Sequence, residues 1–142
     1  MTDPRPADPP LLGYTHIVYA LHALSVLIGI TGPATIVGSF VFGLPSIIAV
    51  VMNYARRSDA AGTWLGSHFT WQIQTFWRAL IAIVIAGVLS APLVLLLGLG
   101  ILTFYLALVG IGLWVIYRVA RGWLALREGR SMPVGVVSEV RA

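Results

Sequence analysis

The sequence predicts an all-α, polytopic membrane fold, and three observations predict it: a composition too apolar for water, two long stretches without a charge, and arginines confined to the flanks of those stretches. Of the 142 residues, 58% are hydrophobic and only 10% charged, against about a quarter charged in soluble domains. A single water-soluble core of this size could not hide so much apolar surface. Residues 9–55 and again 79–117 contain no Asp, Glu, Lys or Arg. A crossing helix needs about 20 residues to cover roughly 30 Å of hydrocarbon, so each stretch has room for two crossings and a turn.

Turn chemistry places the breaks. Thr31, Gly32 and Pro33 divide the first stretch into helices over Leu12 to Ile30 and Ala34 to Tyr54. Gly98 and Gly100 divide the second into Ala79 to Leu97 and Ile101 to Val119. Four helices in two hairpins result. Gly43 and Pro45 in the second helix, and Pro92 in the third, are expected to kink them. Small residues at helical spacing, Ser39, Gly43, Ser46 and Ala49 on the second helix and Ala82, Ala86 and Ser90 on the third, mark faces that allow close approach.

The formal net charge is +4, and every basic residue is Arg. These arginines bracket apolar runs instead of forming a patch interleaved with stacking aromatics, which argues against nucleic acid as a partner. Arg5 precedes the first helix, Arg56, Arg57 and Arg78 lie between the pairs, and Arg118, Arg121, Arg127 and Arg130 follow the last. The positive-inside bias then puts both ends and the middle connection in the cytoplasm, in a bacterial inner (plasma) membrane. The opening MTDPRPADPP lacks the basic region and cleavage pattern of a secretory signal. Residues 1–11 are therefore expected as a disordered cytoplasmic tail, 12–126 as the transmembrane domain, and 127–142 as a cytoplasmic tail, with Glu128 and Gly129 stopping the last helix and flexibility expected after Met132. Trp123 and Leu124 beside arginines suit anionic lipids at the cytoplasmic face.

One segment is more than a span. Thr63 to Arg78, TWLGSHFTWQIQTFWR, divides at about 100° per residue into an apolar face (Leu65, Phe69, Ile73, Phe76, Trp77, with Leu80 beyond) and a polar one (Ser67, His68, Trp71, Gln72, Gln74, Thr75, Arg78). It is an amphipathic helix before the third span, either lying in the headgroup layer or extending that span into the cytoplasm. Anchorage alone explains it. A second explanation is a polar or partner site at the cytoplasmic mouth, where His68, Gln72 and Arg78 meet Asn53 and the stripe Thr15, Tyr19, His22 and Ser25 of the first helix. A His22 that merely bonds a neighbouring carbonyl or Ser is the plainer account.

Chemistry is sparse elsewhere. There is no Cys. His16 and His22 stand about 240° apart around a helix and cannot share a metal from one face. The spans carry no carboxylate of the kind used in proton relays, and no hydrolase, metalloprotease, P-loop or dinucleotide-binding fingerprint occurs. No cofactor is expected and no enzyme. The expectation is a non-enzymatic subunit or accessory factor of a membrane complex, in contact with other membrane proteins or itself, in protein or lipid handling. The alternative is an oligomeric conduit or transporter lined by the polar residues of the first helix and the amphipathic helix, and a haem- or quinone-binding accessory is a third, weaker idea.

The segments THIVYALHAL, NYARR, GTWLGSHFTWQIQTFW and YRVARGWLALREGRSMP, between Thr15 and Pro133, resemble a family of short bacterial membrane proteins classed as a domain of unknown function. That family is placed among distant relatives of the four-helix inner-envelope subunit of the chloroplast protein-import translocon. At Thr70 and Gln74 the sequence departs from such proteins, which often carry Arg there. The resemblance implies four helices with cytoplasmic ends and supplies no catalytic residue.

Overall fold

The computed structural model describes residues 6–31, 36–96 and 98–134, with the side chains of 30–31 and 36–42 excepted. The Gly32–Pro33 break, the Ser39 side chain and everything beyond Val134 lie outside these residues, as does the chain before Pro6. Five helices occur among them: α1 (Pro9–Thr31), α2 (Ile36–Ala55), the single turn α3 (Arg57–Ala60), α4 (Leu65–Ser90) and α5 (Leu99–Arg127). Three stretches are long and apolar enough to cross a membrane: Pro9–Gly29, Leu65–Leu95 and Leu99–Arg127. Within α2 the stretch Gly43–Ala55 is a shorter apolar helix.

Side-chain bonds fix how the helices run. Tyr14 bonds the carbonyl of Met52 at 2.9 Å and His22 bonds Ser46 at 3.3 Å, so α2 runs against α1. Trp71 bonds the carbonyl of Arg118, and Thr103 bonds Ser90 near the other end, so α5 runs against α4. The α1 start, α2 end, α4 start and α5 end therefore meet at one end of the bundle. Nearly all the core is there: Leu11, Val18, Tyr19, Val50, Leu65, Phe69, Trp71, Val119 and Leu126 are buried. Toward the opposite end α4 and α5 bare their aliphatic side chains, with Val88, Leu89 and Ile101 respectively 67%, 66% and 68% exposed.

The amphipathic segment joins the third long helix without a break from Leu65, so it extends that helix and is no separate interfacial element. Pro92 does more than kink α4. A proline there has no N–H to donate, and its ring would meet the carbonyl of Val88, so α4 stops at Ser90 and a 3₁₀ turn, Pro92–Leu95, follows. Gly98 then adopts φ 76°, a left-handed conformation that suits glycine, and opens α5. Gly100 sits directly on this turn, where a Cβ would overlap the Ser90 carbonyl and the Val94 backbone nitrogen.

Just beyond α5 the described chain returns to the bundle. Glu128 ends the helix, Gly129 turns at φ 66°, and Arg130 and Met132 fold back onto α4. Met132 is buried, and its backbone N–H donates to Ser67 at 2.9 Å.

Gly100→Ala is expected to destabilise the fold by about 1–3 kcal/mol, because rigid backbone must move to admit the methyl group. Gly110→Ala, where a Cβ meets nothing within 4 Å, should be tolerated; thermal unfolding of both variants in one detergent makes the comparison.

Candidate functional site

Thr15, His22, Ser25, Asn53, His68, Gln72, Thr75 and Arg118 are buried polar side chains drawn from four helices, and Ser90 is a further one near the other end. In the first part of α4 the buried residues are Leu65, His68, Phe69, Trp71, Gln72, Ile73 and Thr75. His68, Trp71, Gln72 and Thr75 of the face that reads as polar in the sequence thus turn inward, together with the three most N-terminal apolar residues, while Trp77 and Leu80 are exposed.

His68 is the junction. Its Nδ1 lies 2.9 Å from the Tyr19 hydroxyl of α1, and its Nε2 lies 2.8 Å from the carbonyl of Arg130, beyond α5. A carbonyl only accepts, so Nε2 carries the proton; in the neutral ring Nδ1 then accepts from the tyrosine. One imidazole holds α1, α4 and the returning chain together. Trp64 and Tyr19 flank it edge-on, at ring-centroid distances of 5.4 and 5.9 Å. Gly122 makes room on α5, since a Cβ there would run into the Tyr19 ring. Nearby, Trp123 donates to His16 Nδ1 at 2.9 Å, a second tie between α5 and α1.

A reciprocal clasp joins α4 to α5. Arg118 Nε donates to Thr75 Oγ1 at 2.8 Å, Thr75 donates to the Trp71 carbonyl at 2.7 Å, and Trp71 Nε1 donates to the Arg118 carbonyl at 3.1 Å. The guanidinium carbon stands 3.4 Å from the centre of the Trp71 ring. A desolvated cation over a tryptophan face is stabilised by about 2 kcal/mol or more, which offsets part of the cost of burying a charge. No carboxylate lies within ion-pair distance of Arg118 among the described residues.

The six residues singled out from the sequence do not form one site. His68 belongs to the junction. His22 reaches Ser46 through Nδ1, and Ser25 is buried beside it on the same helical side. Asn53 and Gln72 are buried at 0% and 2% exposure, and among the described residues neither amide has a hydrogen-bond partner, nor does His22 Nε2. Arg78 does not join this group; it is exposed, on the outer side of α4.

Sequence reasoning passed over Arg118, Trp71 as its partner, and the Ser67–Met132 contact. The signal for Arg118 was available. It lies on the stripe Val115, Val119, Gly122, Ala125 and Leu126 at three- and four-residue spacing, the buried face of α5. Nothing comparable announces the returning chain, because a turn at Gly129 does not reveal what lies on its far side.

Two apolar grooves between α4 and α5 run from this end outward. One, ≈ 580 Å³, is lined by Ala82, Ile85, Ala86, Leu89, Gly110 and Ile111 among others; the other, ≈ 300 Å³, adds Arg78 and Trp114. Among the described residues no group of three or more His, Cys, Asp or Glu is placed to hold a metal ion. No family model, curated protein or solved structure matches the chain.

Arg118→Lys should lower stability by about 1–3 kcal/mol, since an ammonium cannot both stack on Trp71 and keep the Nε bond to Thr75. Tyr19→Phe, which strands a buried imidazole acceptor, should cost about as much. Unfolding midpoints in detergent give both values.

Proposed function

We propose that the chain is a multi-pass protein of a bacterial plasma membrane, crossing four times as two antiparallel pairs with both termini and the connection around α3 in the cytoplasm. In this reading it acts without catalysis, as a subunit or accessory factor of a membrane complex in protein or lipid handling. The observation that carries it is the division of the bundle. One end packs tightly around hydrogen-bonded polar groups, while the other presents aliphatic side chains outward, as a surface meeting acyl chains or apolar protein would.

Arginine placement supports the orientation. Arg56, Arg57, Arg78, Arg121, Arg127 and Arg130 all belong to the packed end, and the described outer turn from Ala91 to Gly98 has no charge. Trp77, Trp114, Tyr117 and Trp123 form the matching aromatic belt. With Ile36–Ala55 counted as a crossing of 20 residues, α2 completes the second of four spans. The resemblance to four-helix bacterial membrane proteins points the same way.

A conduit is the second reading, favoured by one specific observation: buried amides on Asn53 and Gln72, with His22 Nε2, have no partner among the described residues. Such groups cost about 1–3 kcal/mol each when left unpaired, and an oligomer that threads water or solute past them would relieve that cost.

Cytoplasmic and exported reporters fused at Gly62 and Gly98 test the topology: the cytoplasmic reporter should be active only at Gly62 and the exported one only at Gly98. Purification in mild detergent should yield an assembly larger than the 15.3 kDa chain, and recovery of the isolated chain alone would count against a subunit role. Proteoliposomes should show no solute flux, and Gln72→Met should keep or raise the unfolding midpoint. Flux lost in Gln72→Met would favour the conduit instead.

A further inference from the structure

The grooves between α4 and α5 share Ala82, Gly110 and Ile111, so they form one apolar channel that begins at Arg78 and Trp114 and continues to Leu89 and Ser90. Small side chains at Ala82, Ala86 and Gly110 give it depth. The Ser90–Thr103 hydrogen bond lies at its far end. From Arg78 to Leu89 an α-helix rises about 16 Å, half of a hydrocarbon core of roughly 30 Å. The channel is therefore one leaflet deep.

Its mouth is positive. Trp114 lines the mouth beside Arg78, and the Arg118 guanidinium carbon is 5.3 Å from the Trp114 ring. Arg118 is also stacked on Trp71, whose other neighbour is the Arg121 guanidinium at 5.8 Å. The charges of Arg78 and Arg121 both repel that of Arg118. Among the described residues Asp59 pairs with Arg56, Glu128 pairs with Arg130, and Asp8 forms no ion pair, so no carboxylate is paired with Arg78, Arg118 or Arg121. Arg78 and Arg121 are exposed. Three like charges collected at the end of an apolar channel, with no described carboxylate paired to them, call for an anion that carries its own apolar tail.

We infer that the α4–α5 channel binds one anionic phospholipid of the cytoplasmic leaflet, its phosphate at Arg78 and Arg121 with Arg118 behind them, and one acyl chain laid along Ala82, Ala86 and Gly110. The site rests on the membrane-spanning orientation proposed above. It is a defined position for a single lipid, distinct from general attraction of the arginine-rich face to an anionic surface.

Native mass spectrometry of the full chain, released from nanodiscs of equal phosphatidylglycerol and phosphatidylcholine, tests it. One phosphatidylglycerol should be retained in preference to phosphatidylcholine. Arg78→Gln and Arg121→Gln, both at exposed positions, should each weaken that retention about fivefold, the equivalent of one surface arginine. Gly110→Leu should abolish it with all arginines present, since the new side chain enters open space and fills the channel; circular dichroism verifies that each variant keeps its helices. Equal retention of the two lipids overturns the inference, as does retention indifferent to Gly110→Leu, or a lipid-free dimer in which a second copy occupies the channel. A chain that stays dissolved without detergent and carries no lipid of either class would instead defeat the membrane reading beneath it.

Discussion

A buried imidazole whose two nitrogens are both engaged holds the packed end of this bundle together. His68 takes the Tyr19 hydroxyl on one side and gives its proton to the Arg130 carbonyl on the other, so α1, α4 and the chain beyond α5 must be in register at once. In an apolar interior a satisfied polar group stabilises modestly, whereas an orphaned one is costly. The geometry of the junction is therefore enforced mainly by the penalty for any arrangement that breaks it. The Arg118 clasp to Trp71 and Thr75 applies the same constraint between α4 and α5.

These two devices explain why the bundle is asymmetric. Water-exposed ends can be satisfied by solvent, but a helix interior facing hydrocarbon has only its own backbone and its neighbours. The chain places its polar side chains where several helices converge, and leaves the outer parts of α4 and α5 to aliphatic residues and the small-residue channel. Directional bonds specify the packed end; shape alone specifies the other. The channel joins the two regions, its arginine mouth at the packed end and its apolar length running toward the aliphatic one.

Asn53, Gln72 and His22 run against this economy. Their amides and Nε2 are buried without partners among the described residues, in a bundle that otherwise satisfies its buried side chains through i−4 carbonyls, as at Thr15 and Thr75, or through cross-helix bonds. They are the natural place for bound water or a moving solute, whichever function the protein serves.

Residue order by itself determined the helical class, the long apolar stretches and the break at Gly98, because charge-free length and glycine or proline chemistry act locally. It also singled out His22, Ser25, Asn53, His68, Gln72 and Arg78 from the spacing of helical faces, and of these only Arg78 is exposed. Tertiary structure alone decided that the polar side of the amphipathic segment turns inward, that Arg118 is buried while Arg78 is not, and that the chain after Gly129 returns to cover His68. Spacing gives the angle of a side chain about its own helix, but the neighbour filling that direction, whether lipid, water or another helix, is fixed only when the helices have packed.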